Sequence, residues 1–168
     1  MNAVVVLRTA VLLAATVSMG LGAGVFALYA HTIMPALART DDRTFVGAFQ
    51  ALDRAILNPW FLGGSFAGAL VLGIVAGVLS IGRPEFPWIA AAMLLYGAVV
   101  VITLAVNVPR NDGLKAAGPP DAITDLAAVR AAFDEARWAA WNRVRTALSV
   151  AAFTLLAWAL VVTGAHAG

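Results

Sequence analysis

Four stretches of this chain carry no formally charged side chain: Thr9 to Ala38, Ala55 to Gly82, Phe86 to Pro109, and Thr146 to Gly168. An α-helix rises about 1.5 Å per residue and needs roughly 20 residues to cross about 30 Å of hydrocarbon. Each stretch exceeds that length. In lipid only helices and closed barrels satisfy their own backbone, and these unbroken runs lack the alternation of a barrel strand. The pattern predicts transmembrane helices over about 4–30, 60–80, 86–106 and 144–164.

Between the first two runs, "TDDRTFVGAFQALDRAILNPWF" (40–61) changes character. Thr40 or Asp41 suits an N-cap, and Phe45, Phe49, Leu52 and Ile56 recur at helical spacing opposite Arg43, Gln50, Asp53 and Arg54. This predicts a short amphipathic helix lying on the membrane or capping the bundle. "GRPEFP" (82–87) predicts a tight turn, since a proline disfavours helix at the residue before it. "DAITDLAAVRAAFDEARWAAWNRVRTALSV" (121–150) contains neither Gly nor Pro. It predicts one long rod running into the fourth helix and projecting beyond the membrane. The expected fold is all-α: a single domain over 1–168, built as a four-transmembrane-helix bundle with a short amphipathic helix between helices 1 and 2.

Composition agrees. The chain is 62% hydrophobic and 12% charged, against about a quarter charged in soluble domains. The first apolar run is too long for a signal-peptide core and ends in no clean cleavage site. Nine of the eleven Lys and Arg residues fall in 31–60 and 107–145, leaving Arg8 and Arg83 at the other end. By the positive-inside rule the first group is cytoplasmic and both termini are outside, the expected setting being a bacterial plasma membrane. Glycines at 20–24 and at 64, 68, 73 and 77 suit close helix packing, within one bundle or in a homo-oligomer.

Candidate chemistry gathers at the charged end. Asn58, Asn107, Asn111, Asn142 and Arg145 lie within a turn or so of a predicted membrane boundary, with His31 and Gln50 on the same side. Polar groups at such depth are costly unless paired, so they should face the bundle interior or a cavity. Trp138, Trp141, Asn142 and Arg145 fall at i, i+3, i+4 and i+7. Each residue also has a bland reading: Asn as a cap, Trp as an interface anchor, Arg145 reaching to head groups, His31 as an interfacial polar residue. There is no cysteine, and His31 and His166 are expected at opposite membrane faces, so no shared haem or zinc site is expected. Nucleotide motifs are absent, and neither a cofactor nor nucleic acid is expected.

"MPAL" (34–37), "RTFVGAFQALDRAILNPWF" (43–61), "NVPRNDGL" (107–114) and "FDEARWAAWNRVRTALS" (133–149) resemble the anthrone oxygenase-like family of small four-helix membrane proteins. The likeness spans most of the chain, in order, and rests on the patterns N-x-P-x-N-x-x-L and W-x-x-W-N-x-x-R. It implies oxidation of a polycyclic anthrone to its anthraquinone by O2 without a cofactor. The matching residues are Asn58, Asn107, Asn111, Trp138, Trp141, Asn142 and Arg145; Asp53 and His31 depart from the pattern, standing where Asn and an apolar residue are usual.

Physically, such chemistry needs an apolar slot, a base, and donors aimed at an oxyanion. Trp138 and Trp141 would stack the substrate, beside Asn58, Gln50 and Asp53. Arg145 with Asn107, Asn111 or Asn142 would stabilise the anion. His31 is the first candidate base and Asp53 the second. The partners expected are the bilayer, an apolar small molecule and O2. A non-catalytic protein binding a lipid, a quinone or a partner protein is the competing reading.

Overall fold

The computed structural model describes residues 3–166, and every regular element among them is helical. Four helices are long and apolar enough to cross a membrane: α1 (Ala3–Leu37), α3 (Trp60–Leu79), α4 (Phe86–Ala116) and α6 (Glu135–Ala165). Two shorter helices, α2 (Asp42–Ile56) and α5 (Leu126–Phe133), lie beside the bundle end that carries most of the charge. The chain is a membrane-spanning four-helix bundle.

Packing runs α1 on α3, α3 on α4, α4 on α6 and α6 back on α1. Fully buried alanines (Ala15, Ala69, Ala76, Ala92, Ala152 and Ala159) line these seams. Lipid is as apolar as leucine, so close van der Waals approach rather than water exclusion drives the association. The glycines serve the same purpose within the chain: a Cβ on Gly20 would meet Phe153 of α6, and one on Gly77 would contact Ile89 of α4. At one end, Arg8 of α1 pairs with Glu85 of the α3–α4 turn (3.2 Å), and Trp88 meets Trp158 edge-on. The start of α1, the 80–85 turn and the end of α6 therefore share that end.

At the opposite end a second apolar cluster forms around Phe45, Phe49, Phe133 and Trp138. Asp41 caps α2 by accepting the Thr44 N–H (2.9 Å). Arg130 of α5 donates to Thr40 O (2.8 Å), pairs with Asp42 and Glu135, and stacks over Phe45, tying the connections together. The buried face of α2 is Phe45, Val46, Phe49, Gln50 and Asp53. The amphipathic pattern had set Gln50 and Asp53 on the solvent face. They turn inward because α2 caps the bundle, where partners for both exist.

Two further expectations are corrected. The rod over 121–150 breaks at Asp134, which adopts the left-handed conformation (φ 54°, ψ 65°) and caps α6 through the Arg137 N–H. Aspartate tolerates that conformation better than most residues, so no glycine marks the break. Conversely, "NVPRN" does not end a helix: α4 continues through Pro109 to Ala116. Likewise α1 runs on to Leu37, so His31 lies within it.

The continuity has a physical cause. Pro109 follows a π-helical segment, Thr103–Asn107, and Pro35 follows another, Tyr29–Ile33. A proline ring presses on the carbonyl four residues earlier, here Ala105 and His31, both inside those segments. Widening that turn makes room for the ring without ending the helix. A third π segment, Trp60–Phe66, opens α3 after Pro59.

Candidate functional site

All three π segments border one cavity of about 150 Å³ at the junction of the two apolar clusters. Each contributes to its wall: Tyr29 from the first, Phe61, Leu62 and Phe66 from the second, Thr103 from the third. The remaining lining includes Phe26, Phe49, Trp138, Asp53, Asn111, Lys115 and Arg145. The apolar part of the wall is chiefly aromatic. Phe26 meets Phe61 and Phe66 edge-on at 6.3 and 6.4 Å, and Phe49 meets Trp138 at 5.5 Å and 89°.

Arg145 projects from α6 into this aromatic chamber, 6% exposed. Its Nε donates to Asn142 Oδ1 (2.9 Å) and its Nη1 to Thr103 Oγ1 (3.3 Å). The guanidinium lies over the Phe26 ring at 4.4 Å and near Trp138 at 5.3 Å. Among the described residues no carboxylate forms an ion pair with it. A buried cation without an anion is expensive, and two neutral oxygens with two ring faces offset only part of that cost. Arg145 therefore presents a buried positive charge to the cavity.

A second polar group faces the same space. Asp53 of α2 accepts the Asn111 side-chain N–H (2.7 Å) and pairs with Lys115 (2.7 Å), both on α4. Asn111 in turn accepts from Trp138 Nε1 (2.8 Å). The chain of contacts α2–α4–α6 thus fixes a carboxylate, an amide and an indole together.

Among the predicted residues, Asp53, Asn111, Trp138 and Arg145 line the cavity, and Asn142 orients Arg145 while donating to Phe26 O (3.1 Å). Others are spent elsewhere. Asn107 is buried and donates to Trp138 O (3.4 Å). Gln50 donates to Leu114 O and Gly118 O, fastening α2 to the end of α4. Asn58 caps α3, accepting the Phe61 N–H and donating to Ala55 O.

His31 and Trp141 stand outside. His31 is exposed and contacts Thr32 (2.6 Å). Residues two apart on a helix point to nearly opposite sides, so burying Tyr29 turns His31 outward. Trp141 is 37% exposed, because Trp138, Asn142 and Arg145 form the inward face of α6 and Trp141 lies at its edge. Sequence reasoning missed Phe26, Tyr29, Thr103 and Lys115. A signal existed for two pairs: Phe26 and Tyr29 share a face of α1, and Lys115 follows Asn111 by one turn.

The sequence profile of the anthrone oxygenase family matches residues 57–155, more than half of the chain. The chain belongs to the anthrone oxygenase family. The matched region supplies Asn111, Trp138, Asn142 and Arg145, while Phe26, Tyr29 and Asp53 come from the part preceding it. No curated protein and no solved structure gives a significant match to this member of the family.

Proposed function

We propose that this family member oxidises an apolar polycyclic aromatic carbon acid, of the anthrone type, with O2 and without a cofactor. The observation that carries the reading is the guanidinium of Arg145, without an ion-pair partner among the described residues, inside an aromatic-walled chamber whose lining also holds the Asp53 carboxylate. An anthrone carries an acidic C–H flanked by two rings. Asp53 takes that proton, and the electron pair moves into the ring system as a phenolate-like anion whose oxygen faces Arg145. The electron-rich carbon reduces O2 and bonds to it. The peroxide anion so formed takes back the proton held on Asp53, and the hydroperoxide then loses water and leaves a carbonyl, so one O2 is consumed and one water formed for each quinone.

Asp53 takes the role of base in place of His31, which does not border the cavity. A space of about 150 Å³ is on the order of what accommodates one benzene ring. A three-ring substrate therefore extends through the mouth, where the exposed Leu57 and Leu62 form an apolar rim. A bilayer concentrates both substrate and O2 at such a rim. The excess of Lys and Arg at this end supports placing the cavity on the cytoplasmic side.

Purified protein supplied with anthrone should consume O2 above the buffer rate and form anthraquinone. A rate equal to buffer would overturn the proposal. The competing reading, a non-catalytic binder held together by amide clamps, draws support from Gln50, Asn58 and Asn107, whose side-chain amide N–H groups donate to backbone carbonyls. It predicts saturable retention of anthrone with no oxygen uptake.

A further inference from the structure

The chain has two tyrosines, and the fold uses them differently. Tyr96 donates its hydroxyl proton to Phe66 O (3.0 Å) and does not border the cavity. Tyr29 does border it, 9% exposed, with its ring tilted against Trp138 at 5.8 Å. Every other polar side chain of the lining is engaged: Asp53 and Asp112 with Lys115, Asn111 with Trp138, and Arg145 with Thr103. Tyr29 has no hydrogen bond or ion pair among the described residues, and its hydroxyl is left open to the space it borders. It lies within electrostatic reach of both the Asp53 carboxylate and the Arg145 guanidinium. An uncommitted proton donor thus stands beside the base and the anion site.

We propose that Tyr29 is the general acid of the second half of the reaction, giving its phenolic proton to the oxygen that leaves the hydroperoxide. This inference rests on the catalytic reading above and assigns the donor which that reading leaves open. Once the hydroperoxide has formed, its carbon keeps one hydrogen. Asp53 takes that proton, the C–H electron pair becomes the second bond of the carbonyl, and the O–O bond breaks. The outer oxygen departs with the O–O electron pair, and without a proton it would leave as hydroxide. Tyr29 supplies the proton, and water forms. A phenol is more acidic than water by roughly six pKa units, so the transfer runs downhill. The phenolate, near Arg145, then recovers a proton from the Asp53 carboxylic acid through that water, a carboxylic acid being stronger than a phenol. No net proton enters or leaves, and both side chains return to their starting states.

The discriminating variant is Tyr29→Phe, which keeps the ring on Trp138 and removes only the hydroxyl. That hydroxyl has no partner to lose, so the variant should melt with wild type. In acid-quenched single turnovers with anthrone, quinone formation should fall about 10²-fold, within the usual range for one general acid. Oxygen uptake should fall far less, and the difference should be recovered as the substrate hydroperoxide. If uptake and quinone formation fell together with no hydroperoxide, or if the variant were unimpaired, the assignment would be overturned and the catalytic reading would stand. A second measurement needs no variant: wild type given 10-hydroperoxyanthrone without O2 should form quinone faster than buffer does. A rate equal to buffer would overturn the acid role. Wild type that consumes no oxygen with anthrone would overturn both readings.

Discussion

At the scale of single residues, the decisive feature is a cation kept where it costs the most. Arg145 has two neutral oxygen acceptors and two ring faces but, among the described residues, no carboxylate. Removing a buried charge that has no anion recovers its desolvation cost, which offsets the donors lost by Asn142 Oδ1 and Thr103 Oγ1. Arg145→Met should therefore hold or raise the melting temperature in detergent, while lowering turnover of anthrone about 10²- to 10³-fold, the loss typical of one oxyanion donor. A large drop in melting temperature would instead identify Arg145 as a clamp. Trp138 has a different role, since its Nε1–H satisfies Asn111 Oδ1 in a part-buried contact. Trp138→Phe should cost about 1–3 kcal/mol in equilibrium unfolding, the usual penalty for a buried acceptor left without a donor.

At the scale of elements, the π segments distinguish these helices from ordinary membrane spans. The segment opening α3 brings the Gly63 carbonyl so close to Gly68 that an added Cβ would sit 2.4 Å from it. Helix propensity alone predicts that Gly68→Ala gains about 0.5–1 kcal/mol. Collision with a backbone oxygen that cannot step aside outweighs this, and overpacking of that kind typically costs about 1–3 kcal/mol. Thermal unfolding should show a net loss. Turnover should fall with it, because Phe61, Leu62 and Phe66 would leave the cavity wall.

At the scale of the whole molecule, the two ends have separate tasks. The Arg8–Glu85 pair closes the end away from the cavity, with Glu85 only 1% exposed. Arg8→Met would strand a buried carboxylate and should cost about 3–5 kcal/mol. Adding Glu85→Met should recover most of that loss. Oxygen uptake by the folded double variant should match wild type, since neither residue borders the cavity. A parallel loss of activity would show that the two ends are coupled through the bundle.

What the chain determined alone is what depends on length and local pattern. Four uncharged runs long enough for hydrocarbon dictate four spans, and the phenylalanines of 45–49 dictate an inward face for α2. The N-x-P-x-N and W-x-x-W-N-x-x-R patterns identified the family whose profile the chain matches. Tertiary structure decided which polar groups meet. Asn107 and Asn111 stand one turn apart on α4, yet one holds the Trp138 backbone and the other faces the cavity. Asp53 and Lys115, 62 positions apart, pair only because α2 folds over the end of α4. Helical periodicity assigns a face to each side chain. The angle at which faces meet comes from π turns and packing, and those depend on contacts between distant residues. For that reason His31 and Tyr29, two positions apart in sequence, lie on opposite sides of the cavity wall.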